Sequence, residues 1–203
     1  MLAKLMALFL LGLIRVLTGA QARWLGCPPK AEQRIYFANH QSHADLVMIW
    51  AALPQELRHS TRAIAARDYW TKTPFKKWLT CEVFNVVYVS RERTADEDPL
   101  EPLIEALGRG DSLILFPEGT RGHAGDPQAF KAGLYNLACK FPQAVLVPAW
   151  INNVQHVLPK GEVVPVPVLC SVTFGAPMQV APQEDRHAFL ERARAAVMAL
   201  RDA

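Results

Sequence analysis

The densest group of reactive side chains lies at residues 39–45, Asn39-His40-Gln41-Ser42-His43-Ala44-Asp45, directly after the apolar run Ile35-Tyr36-Phe37-Ala38. A histidine and an aspartate five positions apart point to different faces if both lie inside one helix, since a turn takes about 3.6 residues. With His40 in the turn ahead of a helix and Asp45 in its first turn, the chain folds back and the carboxylate can reach the imidazole. Asp45 then holds one ring nitrogen while the other takes a proton from a hydroxyl. That is general-base chemistry of the hydrolytic-triad kind, here without a serine nucleophile. Two other readings fit the same residues. Ser42-x-x-Asp45 is a capping box, in which the carboxylate bonds backbone amides. His40, His43 and Asp45 would begin a zinc site, although no further Cys/His cluster supplies another ligand at the usual spacing.

The elements that must position these groups follow from periodicity. Residues 33–38 read as a buried strand, with Ser42 capping a helix over 44–53. Further strands are predicted at 61–66, 85–89, 112–116, 144–148 and 168–174, and helices at 75–81, 99–107, 131–140 and 184–201. Phe189, Leu190, Ala193, Ala196, Val197 and Leu200 give the last helix a core face, and Pro159, Pro165 and Pro167 mark a loop before the last strand. Alternation of this kind predicts an α/β fold, a single domain with a mostly parallel central sheet flanked by helices on both faces. In such a sheet, ligands gather at the carboxyl ends of the strands, where Asn39, His40 and Gln41 are expected to present their side chains. Two more strands end there in polar clusters, Ser90-Arg91-Glu92-Arg93 and Pro117-Glu118-Gly119-Thr120-Arg121-Gly122. Guanidiniums bind phosphate bidentately and Gly119 allows close backbone approach, so the shared edge reads as an anion site beside a base. Taken singly, each cluster is also an ordinary turn or a solvated strand end.

The 203 residues carry a net charge of +3, and Lys4, Arg15 and Arg23 account for all of it, so no basic face for nucleic acid is expected elsewhere. Between Lys4 and Arg15 lie ten uncharged residues, about 15 Å of helix against roughly 30 Å of bilayer hydrocarbon. Such a helix is too short to span. Residues 1–23 are expected to form an amphipathic anchor lying in the membrane interface, with residues 24–203 as the functional domain. Packing of this helix on the domain's own core, or export directed by Ala20-Gln21-Ala22, are the alternatives. Cys27, Cys81, Cys139 and Cys170 form no C-x-x-C pair and suit a reducing compartment.

Asn39-His40-Gln41-Ser42-His43-Ala44-Asp45, Val89-Ser90-Arg91, Phe116-Pro117-Glu118-Gly119-Thr120-Arg121 with Phe130-Lys131-Ala132-Gly133, and Val147-Pro148 occur in this order. The set resembles the four motifs of the glycerolipid acyltransferases, the HxxxxD family typified by 1-acylglycerol-3-phosphate acyltransferase, over about residues 35–177. The resemblance implies an α/β enzyme on the cytoplasmic face of a membrane, peripheral or monotopic. Its reaction would pass a fatty acyl chain from an acyl-CoA or acyl-carrier-protein thioester to a lysophospholipid hydroxyl, with no metal and no other cofactor. His40 would be the base and Asp45 its partner, with Arg91, Glu118, Gly119, Thr120 and Arg121 holding the acceptor's phosphate. Departures are Gly122 where serine is common, no glycine around residues 82–85, and Ala149-Trp150 in the last motif. Residues 69–78, rich in aromatics and lysine, are the expected membrane-facing rim of an acyl groove, with Trp70, Phe75 and Trp78 as core residues the alternative. Other function classes are acylation of a different lysolipid such as a lyso-ornithine lipid, a serine lipase or esterase using Ser112 of Gly110-Asp111-Ser112-Leu113, and a non-catalytic lipid-binding relative. Ser112 is expected at the sheet edge opposite His40, and no G-x-S-x-G elbow is present.

Overall fold

A computed structural model describes residues 2–19, 21–42, 44–90, 98–122, 125–153 and 167–203. The order of elements is α1 (Leu2–Thr18), β1 (Gln21–Trp24), β2 (Arg34–Ala38), α2 (Asp45–Ala52), α3 (Gln55–Arg58), β3 (Thr61–Ala66), α4 (Arg67–Trp70) and α5 (Pro74–Trp78). A π-helical turn (Leu79–Val83) then leads to β4 (Val87–Val89), α6 (Glu101–Gly108), β5 (Ser112–Leu115), α7 (Gly133–Lys140), β6 (Val145–Asn152), β7 (Ser171–Phe174) and α8 (Arg186–Met198). The strands form one seven-stranded sheet in the order β1-β7-β6-β2-β5-β3-β4. Every described pairing is parallel except β6 with β7.

Strand β2 sits at the centre because every residue of it is buried and its alternating side chains feed two cores. Ile35 and Phe37 pack with Leu103 and Leu107 of α6, Leu134 and Leu137 of α7, and Phe189, Ala193 and Val197 of α8. Tyr36 and Ala38 face the other way, into a core built from Leu11 of α1, Met48 and Ile49 of α2, and Val83 and Phe84. The chain is thus one three-layered α/β domain with helices on both faces of the sheet.

Several boundaries differ from those predicted, each for a local reason. The stretch 1–23 is divided: α1 ends at Thr18, and Gln21–Trp24 pair in parallel with β7 as an edge strand. Strand β6 runs on to Asn152 because Ala149, Trp150 and Ile151 are all buried between β2 and β7. Pro148 is tolerated inside it where β7 ends, and its carbonyl accepts from the N–H of Gly175. Ser42 does not cap α2. The residue ahead of the helix is Ala44, with no side-chain cap, and the Ser42 hydroxyl accepts instead from the Ala44 N–H at 3.2 Å. The loop expected around Pro159 and Pro165 lies outside the described residues, as does the sheet-edge segment holding Arg91 and Arg93.

Helix α1 packs on the domain's own core, the alternative given for it. Leu11 is buried, and Ala3, Met6, Leu10 and Ile14 pack against the core, so one face serves the domain. The opposite face leaves Leu2, Leu5, Leu8, Phe9 (63%) and Val16 (83%) exposed, with Lys4 and Arg15 together along the border between the two. Leu169 extends this apolar face, its Cδ2 3.1 Å from where a Cβ on Gly19 would lie. No described helix is long and apolar enough to cross a membrane.

Candidate active site

Parallel pairing decides what meets at the site. Phe37 of β2 lies opposite Leu115 of β5, so the residues that follow, Ala38-Asn39-His40 and Phe116-Pro117-Glu118, leave the sheet side by side. The first of these polar side chains turns inward. Asn39 is buried and acts as one more rung of the ladder, its amide donating to the Ile151 carbonyl at 3.1 Å and its oxygen accepting from the Ile151 N–H at 2.8 Å. The expected presentation of Asn39 to a ligand therefore does not hold: the unpaired Ile151 backbone beyond Ala38 needed a partner, and a short amide supplies it.

His40 and Asp45 meet as their spacing requires, with Nδ1 2.8 Å from Asp45 Oδ2. That same oxygen accepts from the N–H groups of Gln41 at 2.6 Å and Ser42 at 2.8 Å. The carboxylate half of the capping box is thus formed along with the imidazole contact, and the two readings of Asp45 are one structure. An oxygen already holding two N–H donors can only accept, so Nδ1 of the neutral ring carries the proton and Nε2 is left as the acceptor. The Asp45 side chain is 1% exposed and the His40 ring 22%. Oδ1 of Asp45 is buried with no hydrogen-bond partner among the described residues, which leaves its charge available to the ring. The imidazole stacks on Phe116, ring centroids 4.4 Å apart and planes at 17°. His43 lies outside the described residues, and among those described no group of three metal-ligating side chains occurs.

Glu118 departs from its expected role. It is 2% exposed, its Oε1 accepts from the His40 N–H at 2.7 Å and its Oε2 from the Gln128 N–H at 2.8 Å. The Gly122 N–H closes the arrangement by donating to the His40 carbonyl at 2.8 Å. Both amide faces of His40 are therefore gripped by the 118–122 turn, and Glu118 is a clamp on the imidazole's backbone with no oxygen left facing a phosphate. A Cβ on Gly122 would lie 3.2 Å from Glu118 Oε2, so this departure from the family's serine sits against the clamp itself.

Gly119 takes φ +70°, a conformation that glycine adopts freely. What approaches it is the side chain of Lys131. Gly119, Thr120 and Arg121 are exposed on the edge beside His40. Arg91, the other expected guanidinium, lies outside the described residues. Ser112 is buried at the start of β5, the end of that strand away from Phe116, and its hydroxyl accepts from the Arg34 N–H at 2.9 Å. A serine so placed cannot share chemistry with His40. Phe116 and Lys131 escaped assignment as site residues, although both stand in the quoted motifs. Arg67, exposed at the same edge just after β3, carries no local signal at all. The β2–β5 neighbourhood, once known, would have pointed to Phe116.

A protein-family model described as Acyltransferase matches residues 27–152, well over half of the chain. The chain belongs to the acyltransferase family. Among curated proteins it is similar to human 1-acyl-sn-glycerol-3-phosphate acyltransferase alpha, 30% identical over 66% of this chain and 46% of that one. It is also similar to 1-acyl-sn-glycerol-3-phosphate acyltransferase of Borreliella burgdorferi, 28% identical over 74% of this chain and 56% of that one. The chain spans about half the length of the curated relatives it matches. Among solved structures, the 1-acyl-sn-glycerophosphate (LPA) acyltransferase PlsC of Thermotoga maritima aligns with a TM-score of 0.70 over 98% of this chain and 79% of that one. At 21% identity that likeness speaks to the fold. The matched segment holds the whole clamp, from His40 through Glu118 and Gly122 to Gln128.

Proposed function

We propose that this chain transfers a fatty acyl group from an acyl-CoA or acyl-carrier-protein thioester to the free hydroxyl of a lysophospholipid. The acceptor we favour is 1-acylglycerol-3-phosphate, which would give phosphatidic acid. The observation that carries the reaction type is the His40–Asp45 pair, an imidazole whose buried carboxylate partner holds Nδ1 at 2.8 Å and leaves Nε2 to the substrate. Nε2 takes the acceptor's hydroxyl proton as the oxygen attacks the thioester carbonyl. The C–O bond forms, the C–S bond breaks, and the departing thiolate takes the proton back from the imidazolium. A lysolipid hydroxyl is a weak nucleophile until that proton is taken, so the base supplies what the reaction lacks. Exposed Thr120 and Arg121 on the same edge suit a phosphate-bearing acceptor, and the names of the relatives support the same choice.

The reaction would take place at a membrane surface, on its cytoplasmic side. The exposed apolar face of α1 supports this reading, together with Leu169 and with Phe75 of α5 (61% exposed), whereas Trp78, its ring 6.2 Å from that of Phe75, packs against the core. Lys76 stands over the Tyr69 ring at 4.2 Å, the mixture of cation and aromatic that favours the head-group level.

The test is incubation of the purified full chain with a labelled acyl thioester and a panel of lysolipids. Label should enter phosphatidic acid from 1-acylglycerol-3-phosphate in preference to zwitterionic or neutral acceptors. Exclusive acylation of a lyso-ornithine lipid would overturn the acceptor assignment. Release of free fatty acid without transfer would overturn the reaction.

A further inference from the structure

With Glu118 turned inward as a clamp, the exposed 119–121 turn has lost its expected acid, and a cation stands over it instead. A Cβ at Gly119 would lie 2.5 Å from Lys131 Nζ and 2.9 Å from its Cδ and Cε. The aliphatic stem of Lys131 thus occupies the space a side chain at 119 would fill. Its backbone is tied to the same turn, the Lys131 N–H donating to the Pro117 carbonyl at 2.9 Å. Lys131 is exposed and forms no ion pair among the described residues. The Lys131 stem thus lies across the turn beside exposed Thr120 and Arg121, with no carboxylate paired to its ammonium among the described residues.

We propose that Lys131 is a phosphate-binding residue of the acceptor site, its ammonium held by the missing side chain of Gly119 so that it and Arg121 together grip a phosphate monoester. The inference rests on the acyl-transfer reading above and names a specificity-determining residue within it. Gly119 then has two duties: its positive φ shapes the turn, and its lack of a Cβ gives the cation its seat. A phosphate of coenzyme A is the competing source of the same chemistry, and experiment separates the two.

Lys131→Met keeps an unbranched stem over Gly119 and removes only the charge. Binding of glycerol 3-phosphate and of adenosine bisphosphate, a fragment of coenzyme A, would be measured by calorimetry on the full-length wild type and on the variant. Steady-state constants for both substrates would follow. The expected result is glycerol 3-phosphate binding weakened on the order of ten-fold or more, the loss of one charge-assisted contact. Adenosine bisphosphate binding should not change. The KM for a phosphate-bearing acceptor should rise in parallel with kcat changed less than about two-fold, and Lys131→Arg should restore part of the affinity. Unchanged glycerol 3-phosphate affinity in Lys131→Met, or no binding by the wild type, would overturn the proposal. Weakened adenosine bisphosphate binding alone would move the phosphate to the donor and overturn the acceptor assignment. If glycerol 3-phosphate binding depends on Lys131 but no lysolipid is acylated, the site stands and the proposed reaction falls.

Discussion

Replacing Glu118 by Gln separates a structural clamp from a phosphate ligand, the two roles open to a glutamate in this turn. The carboxylate accepts two backbone N–H groups, from His40 at 2.7 Å and Gln128 at 2.8 Å, and it is 2% exposed. A glutamine in the same place can satisfy one of them, but whichever way it is turned its NH₂ group faces the other donor. One buried N–H is then unsatisfied, costing about 1–3 kcal/mol, and the surviving bond loses its charge assistance. Together these amount to about 2–4 kcal/mol. For a domain of this size, that lowers the melting temperature by roughly 4–16 °C. The displaced group is the backbone of His40, and a misplacement near 1 Å costs on the order of 10² in rate. Thermal unfolding and steady-state acyl transfer at varied acceptor concentration would measure both effects. The expected signature is a lower melting temperature and lower kcat with KM for the acceptor little changed. An unchanged melting temperature and kcat with a raised acceptor KM would refute the clamp and return Glu118 to the substrate.

Asp45→Asn can keep its three accepted hydrogen bonds by placing the amide oxygen at Oδ2 and NH₂ at the unpartnered Oδ1 position, so it removes charge while preserving the tautomer. A kcat loss on the order of 10² is expected, and turnover equal to the parent's would exclude an imidazolium at the rate-limiting step. Changing exposed Phe9 and Val16 together to Glu should release the protein from anionic vesicles in a co-sedimentation assay without loss of fold. Full retention would shift the anchor to Phe75 and Leu169. The Arg192 guanidinium holds the Glu184 carboxyl down to about 2, so this pair stabilises the fold above the ordinary carboxylate range near pH 4 and the contribution fades as pH falls toward 2. Glu184→Gln should accordingly lower the stability measured in urea at pH 7, by about 1 kcal/mol or less for a pair this exposed, and match the parent near pH 2. A difference that persists at pH 2 would exclude the ion pair as its cause.

The layered fold was legible because its signals are periodic. Ile35 and Phe37 alternate with Tyr36 and Ala38, and Phe189, Leu190, Ala193, Val197 and Leu200 recur at helical spacing, so burial follows from the residue types. The edge strand Gln21–Trp24 was not legible. Its pairing with Ser171–Phe174 is set by a strand about 150 residues away, and the apolar segment before it drew the whole N-terminus into one helix. The meeting of His40 and Asp45 could be argued from spacing alone, since a five-residue turn closes in few ways. Asn39 and Glu118 could not be placed in the same manner. Both are polar residues at a strand end, and such residues serve either a ligand or an orphaned backbone group. Which need prevails depends on the neighbouring strand, Ile151 in one case and the His40 amide in the other. Lys131 illustrates the same limit, because nothing in Phe130-Lys131-Ala132-Gly133 reveals that its side chain lies over Gly119.

The central claim is that His40 is the base that activates the acceptor hydroxyl, and transfer of labelled acyl groups by His40→Ala tests it most directly. Ser112→Ala is the companion, since that hydroxyl only holds the Arg34 amide at the far end of β5. With folding verified by circular dichroism, His40→Ala should lose on the order of 10² to 10⁴ in kcat on 1-acylglycerol-3-phosphate, while Ser112→Ala keeps nearly the parent rate. A folded His40→Ala protein that acylates the acceptor at the parent rate would contradict the account.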